Sequence, residues 1–424
     1  MAAPYRSKLL VDFAQRSLIH DVSAGLDDRL AQSSSVAAYI GFDPSADSLH
    51  VGHLMGVLAL RRLQLHGGRP IALVGGGTGM IGDPSGRSAE RNLLDRPTLD
   101  ANRASIGAQL TRLLDFTGAS GALLLDNLEW LGNVGMIDFL RDTGKHLTVG
   151  YMLAKDSVKS RLDAGLSFTE FSYMLLQAND FRHLCEHHDC EMQMGGSDQW
   201  GNITAGIDLI RKRLGRSAYG LTWPLLTKSD GTKFGKTADG AVWLDAKKTS
   251  PYQFRQFWVQ IADNDIENLL PRFSLQSLDE VNALLDAQRD NPASRPAQRA
   301  LAREMTELVH GKAAADAADA AAAILFGGDP MTATRAAMDF IAAEVPATKM
   351  GTAVLADAAG VLAALPGIAA SKSEARRLLT QKSVRANGVV LAADADLSAV
   401  PLLHDRWMLV RKGKTTYHLV DFAR

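Results

Sequence analysis

The sequence has little cysteine and no long apolar run, and each absence excludes a class of protein. Two cysteines among 424 residues cannot build a disulfide framework, and they suit a reducing compartment. No apolar stretch approaches the length of a membrane span. The N-terminus, with Asp12 and a short apolar patch, fits neither a signal peptide nor an Arg-rich transit peptide. We therefore expect a cytoplasmic protein with no membrane partner.

The net charge is also close to zero, although the charged residues are unevenly distributed along the chain. The formal net charge is −1, which by itself gives no reason to expect a nucleic-acid partner. Residues 351–424 hold 10 Lys plus Arg and 6 Asp plus Glu, a surplus of +4 that leaves −5 for residues 1–350. A basic terminal segment on an acidic body indicates a polyanionic partner. The 46% of apolar residues can form a full core, and the length predicts two or three domains.

The first strong pattern is a strand, a turn and a helix. An apolar run at residues 36–40 predicts a buried strand, Pro44 marks a turn, and periodic leucines over residues 54–65 predict a helix. Asp47 and Ser48 are candidate N-caps for that helix.

Two histidines in His50-Val51-Gly52-His53 fall at the start of this helix. A helix N-terminus attracts anions through its unpaired N–H groups and its dipole, and Gly52 would let a phosphate or a flat ring approach the backbone. Two histidines three residues apart are explained as well by a surface pair or a half-formed metal site. These four residues alone leave open both a phosphate-binding role and a role without function.

A second predicted strand, at residues 71–74, leads into a glycine-rich segment at residues 75–86. Strands that alternate with helical patterns predict a parallel, doubly wound sheet with its site at the carboxyl ends of the strands. The glycines invite a dinucleotide-binding interpretation, but Gly75-Gly76-Gly77 lacks the GxGxxG spacing and no helix opens directly behind it. We instead predict a loop that presents the carboxylate of Asp83.

A capping-box pattern at residues 167–170 predicts the start of a long helix, after a third strand at residues 123–125. Within that helix Tyr173, Gln177 and Asp180 share one face, and apolar residues fill most of the remaining surface. A polar stripe on an otherwise buried helix favours a pocket lining over a solvated face.

Four potential metal ligands, Cys185, His187, His188 and Cys190, follow along the same helix. Their spacing fits a zinc site poorly, and no second ligand pair lies within reach. The end of a helix running into a strand at residues 190–194 explains the same residues, so we predict no bound metal.

Two further segments have the composition of site loops. Residues 195–202 form a glycine turn with polar side chains beside a predicted helix N-terminus, which repeats the arrangement of the first strand and helix. Residues 227–237 follow another apolar run, at 221–226, and combine glycines with Lys233 and Lys236. This second segment reads equally well as a mobile loop that closes over an anion or as a solvated loop.

The remainder of the chain carries no catalytic constellation. Residues 252–325 show helical patterns, and Gly327, Gly328 and Pro330 interrupt them, so we expect little shared core across residue 330. Residues 371–379 predict a helix with a basic face, and residues 384–388 predict a strand and a turn.

Together these motifs resemble a bacterial-type tyrosyl-tRNA synthetase, a class I aminoacyl-tRNA synthetase with a C-terminal S4-like domain. His50-Val51-Gly52-His53 is similar to the HIGH motif, and Lys233-Phe234-Gly235-Lys236-Thr237 is similar to the KMSKS loop. Residues 371–388 are similar to the RNA-binding helix and turn of an S4-like domain.

The resemblance implies a role for each candidate site residue. The phenol hydroxyl of tyrosine would be bound by Tyr39 and Asp180, its ammonium group by Asp83, Tyr173 and Gln177, and its carboxylate would lie near Gln199. The nucleotide would be held by Asp43, Gly52, Gly196 and Asp198. The implied catalytic residues are Ser45, His50, His53, Lys233, Lys236 and Thr237. The implied RNA-binding residues are Lys372, Arg376, Arg377 and Lys382.

The resemblance also implies an architecture and a reaction. A Rossmann-like α/β catalytic domain with a connective insertion would span residues 1–225. The lysine loop and a helical anticodon-side domain would follow at 226–330, a linker at 331–350 and a small α+β S4-like domain at 351–424. The enzyme would be a homodimer that uses ATP with Mg²⁺ to activate L-tyrosine and charge tRNA(Tyr), without a tightly bound protein metal.

Two other functions stay open at this point. A tryptophan-specific relative would share both signature motifs, but it would have no use for Tyr39 and Asp180 facing a phenol. An RNA-binding protein that has lost catalysis would not need His50, His53 and the two loop lysines.

Overall fold

The computed structural model describes residues 5–85, 93–162, 165–227, 229, 231–232, 234–237 and 240–422. Its contacts divide the chain into two compact units. The first comprises Met1–Thr249 with Val259–Leu301, and the second comprises Ser250–Trp258 with Ala302–Arg424.

Helices dominate both units. In chain order they are α1 (Lys8–Gln15), α2 (Leu26–Gln32), α3 (Val51–Leu65), α4 (Arg96–Leu113), α5 (Leu128–Leu131), α6 (Met136–Asp142), α7 (Val149–Leu153), α8 (Asp156–Leu162), α9 (Phe168–His188), α10 (Trp200–Leu214), α11 (Pro251–Val259), α12 (Asp263–Phe273), α13 (Leu278–Asp290), α14 (Pro296–His310), α15 (Lys312–Leu325), α16 (Arg335–Glu344), α17 (Ala358–Ala363) and α18 (Lys372–Thr380).

In the part of the chain that the structure describes, the strands form three sheets. They are β1 (Asp21–Val22), β2 (Ala37–Phe42), β3 (Arg69–Val74), β4 (Leu123–Asp126), β5 (Cys190–Gly196), β6 (Tyr219–Trp223), β7 (Lys236–Thr237), β8 (Gly240–Ala241), β9 (Ala347–Lys349), β10 (Val384–Ala386), β11 (Val389–Val390), β12 (Trp407–Lys412) and β13 (Thr416–Asp421).

The first unit is built on a six-stranded sheet with the order β1-β6-β5-β2-β3-β4. Strands β2 to β6 pair in parallel, and β1 pairs with β6 in the antiparallel direction. The chain runs outward from β2 to β4 on one side and returns through β5 and β6 on the other, so the topology switches direction between β2 and β5. Open α/β sheets bind ligands at such a point, beyond the carboxyl ends of the strands. This confirms the predicted doubly wound parallel sheet.

Buried arginines hold the end of α12 in place within the first unit. Arg62, on α3, is 2% exposed and donates to the carbonyl oxygens of Arg272 and Ser274 at 3.0 and 2.5 Å. Arg16, which caps the end of α1, donates to Ser274 O at 3.0 Å and to Asp12 Oδ1 at 2.6 Å. These bonds satisfy carbonyls that the end of a helix leaves without intrahelical partners.

The second unit places a five-stranded sheet, ordered β11-β10-β12-β13-β9, between two hydrophobic layers. Strand side chains alternate between the layers, as the pleat requires. Val410 and Val420 pack in a cluster that also contains residues of α17 and α18, while Leu409 and Leu419 pack in a cluster that also contains residues of α15 and α16.

This packing corrects the expectation of little shared core across residue 330. Ala321 and Ile324, on α15, share a buried cluster with Trp407, Leu409 and Leu419 of the terminal sheet. Residues 331–350, expected as a linker, contain α16 and also β9, which pairs in parallel with β13. The other proposed domain boundaries stay a prediction.

Candidate active site

A cavity of about 800 Å³ lies at the carboxyl ends of β2 and β5. It brings together residues that are far apart in the sequence, from the strand ends, α3, α9 and the loops between them. The predicted site residues that line it are Tyr39, Asp43, Ser45, His50, Gly52, His53, Asp83, Tyr173, Gln177, Asp180, Gly196, Asp198 and Gln199.

The deep end of the cavity is formed by Tyr39 and Asp180. Tyr39 is 1% exposed, and its hydroxyl has no hydrogen-bond partner in the described part of the chain. Asp180 is also buried, and its two carboxyl oxygens accept from Asn127 Nδ2 at 2.8 Å and from Trp130 Nε1 at 2.7 Å. This end therefore offers an unpaired hydroxyl beside a firmly oriented carboxyl group.

Burial changes the protonation of both groups. It raises the pKa of Asp180 to about 8, because the hydrogen bonds from Asn127 and Trp130 only partly offset the loss of water and nearby Asp43 adds repulsion. Burial and the neighbouring Asp180 also raise the pKa of Tyr39 well above its usual value. At neutral pH both groups hold a proton, so each can donate to a ligand hydroxyl or accept from it.

The middle of the cavity is a network of amides and carboxylates. Gln199 Nε2 donates to Asp83 Oδ2 at 2.8 Å, and Gln177 Nε2 donates to Gln199 Oε1 at 3.2 Å. The hydroxyl of Tyr173 donates to Asp43 Oδ2 at 2.9 Å. The arrangement presents carboxylate and amide oxygens to the cavity, which suits a cationic group such as an ammonium ion.

The two histidines themselves cap α3, which corrects the prediction of Asp47 or Ser48 as N-cap. His50 Nδ1 accepts from the Gly52 N–H at 3.0 Å, and His53 Nδ1 accepts from the His50 N–H at 3.1 Å. Ser48 is buried and its hydroxyl instead bonds to the Leu49 carbonyl.

This reciprocal capping decides where the imidazole protons lie. Because each Nδ1 is an acceptor, each neutral ring of His50 and His53 carries its proton on Nε2. Gly52 is required for the arrangement, since a Cβ there would lie 2.7 Å from His50 Cε1. The site therefore holds two imidazole donors at a helix N-terminus, which suits a phosphate group.

The lysine loop returns along the start of α3. Gly235, with φ of +89°, approaches so closely that a Cβ would lie 3.2 Å from the Gly52 nitrogen. The backbone of Lys236 and Thr237 forms β7, which pairs with β8, whereas Lys233 lies outside the described residues.

The predicted RNA-binding residues lie outside the cavity, on the second unit. Arg376 and Arg377 are exposed on α18, and Lys372 at the start of that helix pairs with Asp357 at 2.8 Å. Lys382 is exposed just beyond the helix. Burial of Ala375, Leu378 and Leu379 on the opposite face accounts for this orientation.

Sequence reasoning missed three polar residues that line or support the deep end. Asn127 and Trp130 follow β4 and bond Asp180, and Gln193 lies on β5 beside Tyr39. A usable signal existed for Asn127, since it comes just after a predicted strand, where site residues of a parallel sheet collect.

Features of other kinds of site are scarce within the described ranges. No group of three or more His, Cys, Asp and Glu side chains there could hold a metal ion. Cys185 and Cys190 are buried free thiols in these ranges. No helix in the same ranges has the length and apolar character needed to cross a membrane.

The chain matches the models of a known class of enzyme. Residues 31–327 match the model of the class I tRNA synthetases for tryptophan and tyrosine, and residues 338–420 match the model of the tyrosine–tRNA ligase SYY-like C-terminal domain. The first match covers more than half of the chain and defines a class I tRNA synthetase.

Comparison with individual proteins narrows this class. A tyrosine–tRNA ligase of Anaeromyxobacter dehalogenans (strain 2CP-C) is 51% identical over 415 residues, which cover 97% of this chain and 99% of that protein. A tyrosine–tRNA ligase of Roseiflexus castenholzii is 50% identical over 422 residues, 97% of this chain and 99% of that protein. The chain belongs to the tyrosine–tRNA ligase family.

A solved structure agrees with this assignment. The C-terminally truncated mitochondrial tyrosyl-tRNA synthetase of Aspergillus nidulans superimposes with a TM-score of 0.69 at 32% identity. The match covers 75% of this chain and 94% of that one.

Proposed function

We propose that this chain activates L-tyrosine with ATP to form tyrosyl-adenylate and then transfers the tyrosyl group to the 3′ end of tRNA(Tyr), releasing pyrophosphate and AMP. The observation that carries the proposal is the deep end of the cavity. The unpaired hydroxyl of Tyr39 and the oriented carboxyl of Asp180 suit a phenol hydroxyl, which can donate to one and accept from the other.

The amino-acid backbone of tyrosine would lie in the middle of the cavity. Asp83, Tyr173 and Gln177 would bind its ammonium group, since their oxygens are acceptors and the carboxylate of Asp83 supplies negative charge. Gln199, whose amide already bonds Asp83 at 2.8 Å, would lie near the reacting carboxylate.

ATP would occupy the part of the cavity at the start of α3. Asp198 and Gly196 would hold the ribose, with Asp43 and Gly52 close to the nucleotide. Mg²⁺ fits as an ion carried by the ATP phosphates, because it keeps several waters and needs few protein ligands. When bound it would neutralise phosphate charge.

The reaction needs no covalent bond between substrate and protein. The tyrosine carboxylate attacks the α-phosphorus of ATP, the bond to the bridging oxygen breaks, and pyrophosphate leaves with that electron pair. The Nε2–H groups of His50 and His53, with Ser45, Thr237, Lys233 and Lys236, would donate to oxygens that gain charge in the transition state. Fixed donors of this kind supply most of the stabilisation in such reactions.

The transfer of tyrosine to tRNA would use the second unit. Exposed Lys372, Arg376, Arg377 and Lys382 would neutralise RNA phosphates. This division of labour keeps activation within residues 1–225 and the lysine loop, and assigns RNA binding to the S4-like residues 351–424.

We also propose that the enzyme is a cytoplasmic homodimer. Large apolar side chains are exposed on α6, α7 and the start of α9, among them Met136 at 73%, Ile137 at 68%, Val149 at 62% and Phe168 at 73%. Exposed apolar side chains grouped along one stretch of chain favour a protein partner, and a second copy is the occupant that the resemblance implies. Sedimentation velocity should give a dimer, and Ile137→Asp should shift it toward the monomer.

Amino-acid-dependent ATP–pyrophosphate exchange tests the proposed activity. Tyrosine should support rapid exchange, whereas tryptophan and phenylalanine should support little. Equal or faster exchange with tryptophan would establish the tryptophan-specific alternative, and no exchange with any of the three would indicate loss of catalysis.

A further inference from the structure

Residues 242–244, which come just after β8, are joined by backbone hydrogen bonds to the start of α3 and to the lysine loop. The Val51 N–H donates to Val242 O at 2.9 Å, and the Leu244 N–H donates to Leu49 O at 2.8 Å. The Val242 N–H also donates to Gly235 O, in the lysine loop, at 3.2 Å. The segment 242–244 therefore holds the start of α3 and the lysine loop in one arrangement.

Trp243, at the centre of this segment, faces the His50 ring. The two residues form an isolated antiparallel bridge, and the indole meets the imidazole edge-on, with ring centroids 5.9 Å apart and planes at 67°. His53 approaches the same imidazole, with centroids 3.9 Å apart. The His50 ring is thus enclosed by two aromatic neighbours.

The indole is itself fixed. Lys248 Nζ lies 4.9 Å from the centre of the Trp243 ring and forms an ion pair with Asp47, in the turn before α3. The Trp243 N–H of the backbone donates to Thr249 Oγ1 at 3.0 Å. These contacts tie the ring to the turn that precedes His50.

We propose that Trp243 is a positioning residue, which holds the His50 imidazole in the orientation that the activation step requires. The proposal rests on the proposed function, in which His50 Nε2–H donates to the nucleotide phosphates. The bond from Gly52 to Nδ1 fixes the tautomer of His50, and tilt of the ring about that bond is limited by the aromatic neighbours of the imidazole. The edge of the indole restricts this tilt, and misplacing a donor by about 1 Å can cost a reaction on the order of 10²-fold.

Pyrophosphate exchange by Trp243→Ala tests the inference. An edge-to-face aromatic contact is equivalent to about a tenfold change in rate when it is used in the transition state. We expect kcat for exchange to fall by about tenfold or more, while KM for tyrosine stays within about twofold, because the tyrosine pocket lies at the other end of the cavity. Activity is compared with the wild-type chain, whose own tyrosine exchange tests the proposed function separately.

Two replacements of Trp243 separate the effect of its aromatic ring from the effect of its apolar volume. Trp243→Phe keeps an aromatic edge and should retain kcat within about threefold, whereas Trp243→Leu keeps apolar volume without a ring and should resemble Trp243→Ala. If Trp243→Ala fails to fold, the comparison of Trp243→Phe with Trp243→Leu still tests the positioning role.

Val242→Ala is the matched control, because it shortens a buried side chain of the same segment and leaves the indole in place. It should lower the stability without the selective loss of kcat. Wild-type kcat in Trp243→Leu, or an equal kcat loss in Val242→Ala, would overturn the positioning role.

Discussion

Tyr39 and Gln193 are register partners on the neighbouring strands β2 and β5, and each buries a side-chain oxygen without a hydrogen-bond partner in the described part of the chain. The residues are only 1% and 2% exposed. A buried polar atom left unpaired costs about 1–3 kcal/mol, so two of them side by side are an expensive arrangement. Both line the cavity next to Asp180, and a ligand that carries a hydroxyl would relieve this cost.

The first prediction concerns the choice of tyrosine over phenylalanine. A site built to bond a hydroxyl rejects the analogue without it by roughly 10⁴ to 10⁵, a magnitude already known for tyrosyl-tRNA synthetases. Phenylalanine should therefore support very little pyrophosphate exchange, and Asp180→Ala should lose most tyrosine-dependent exchange.

Asn179→Ala is the matched control for that variant. Asn179 is buried on the same helix but bonds Thr143 and Arg182 away from the cavity, so its loss should affect stability more than specificity. Near-normal tyrosine exchange by Asp180→Ala would show that the phenol binds elsewhere.

The sheet and the cavity could be predicted from the sequence because their signals are local. Apolar strands, glycine turns and helix starts identified β2, β3, β5 and the residues at their ends. The place of Asn127 just after β4 marks it as a possible site residue. Its bond to Asp180, and that of Trp130, could not be predicted in this way, since the bonded residues are 53 and 50 positions apart. The N-cap of α3 was predicted wrongly because histidine is an unusual cap, and its ring nitrogen here replaces the expected hydroxyl or carboxylate.

The second prediction concerns the support of Asp180. Trp130→Phe keeps an aromatic ring but removes the N–H that bonds Asp180 Oδ1 at 2.7 Å. A hydrogen bond to a neutral carboxyl contributes about 0.5–1.5 kcal/mol, so KM for tyrosine should rise by about two- to tenfold at neutral pH. Since that bond lowers the pKa of Asp180, its loss should also move the pKa further above about 8.

The pH dependence of KM for tyrosine measures both effects. The wild-type profile should change near pH 8, and the Trp130→Phe profile should change at higher pH. Identical profiles would mean that the indole does not control the carboxyl group.

The third prediction concerns the lysine loop. Gly235 lies against Gly52 at the start of α3, so the loop reaches the end of the cavity where the phosphates would lie. If Lys233 and Lys236 act only as charge develops on pyrophosphate, replacing either with Ala should slow adenylate formation by about 10²-fold or more and leave tyrosine affinity nearly unchanged.

Single-turnover measurement of adenylate formation gives the rate constant, and tyrosine affinity is measured separately. Together they distinguish a slower reaction from weaker tyrosine binding. Exposed Lys247 offers a control charge nearby, and Lys247→Ala should change neither quantity. A loss of tyrosine affinity with an intact rate constant would assign the loop lysines to ground-state binding.

The fourth prediction concerns stability at acid pH. Burial raises the pKa of Asp12, but the His66 ring 3.6 Å away, the hydrogen bond from Arg16 and the charges of Arg16 and Arg62 outweigh it and lower the pKa from 3.8 to about 2. A carboxyl whose pKa is lower in the folded state stabilises the protein above the unfolded value and loses this contribution as the pH falls from about 4 to about 2. The contribution at neutral pH is about 2 kcal/mol.

Denaturant unfolding of Asp12→Asn, measured as a function of pH, tests the direction of this change in stability. The variant should be less stable than the wild-type chain at pH 7, and the difference should shrink toward pH 3. The same change at exposed Asp290, on α13, should have little effect at either pH. A difference that stayed constant with pH would assign the loss to packing and not to the charge of Asp12.

The fifth prediction separates tRNA charging from tyrosine activation. Truncation near residue 330 cannot do this cleanly, because it would remove the strands that cover Ala321 and Ile324. Changing Arg376 and Arg377 to Ala removes two exposed charges from α18 and leaves its buried face intact. Pyrophosphate exchange should stay at the wild-type rate, while KM for tRNA should rise. The salt dependence of tRNA binding, plotted as log K against log salt, should become shallower by about one unit per lost phosphate contact.

The control for the Arg376 and Arg377 variant removes the same amount of charge from the first unit. Arg112, on α4, and Lys8, on α1, are exposed in the first unit, and changing both to Ala lowers the net charge equally. If tRNA binding depends only on overall charge, the two double variants should lose affinity alike and show the same change in salt dependence. If α18 contacts the RNA directly, only the Arg376 and Arg377 variant should lose affinity and show a shallower salt dependence. The reason is that counterions are released where phosphates are neutralised. Equal losses in the two variants, or an unchanged KM for tRNA in the α18 variant, would require the RNA-binding surface to be sought outside this helix.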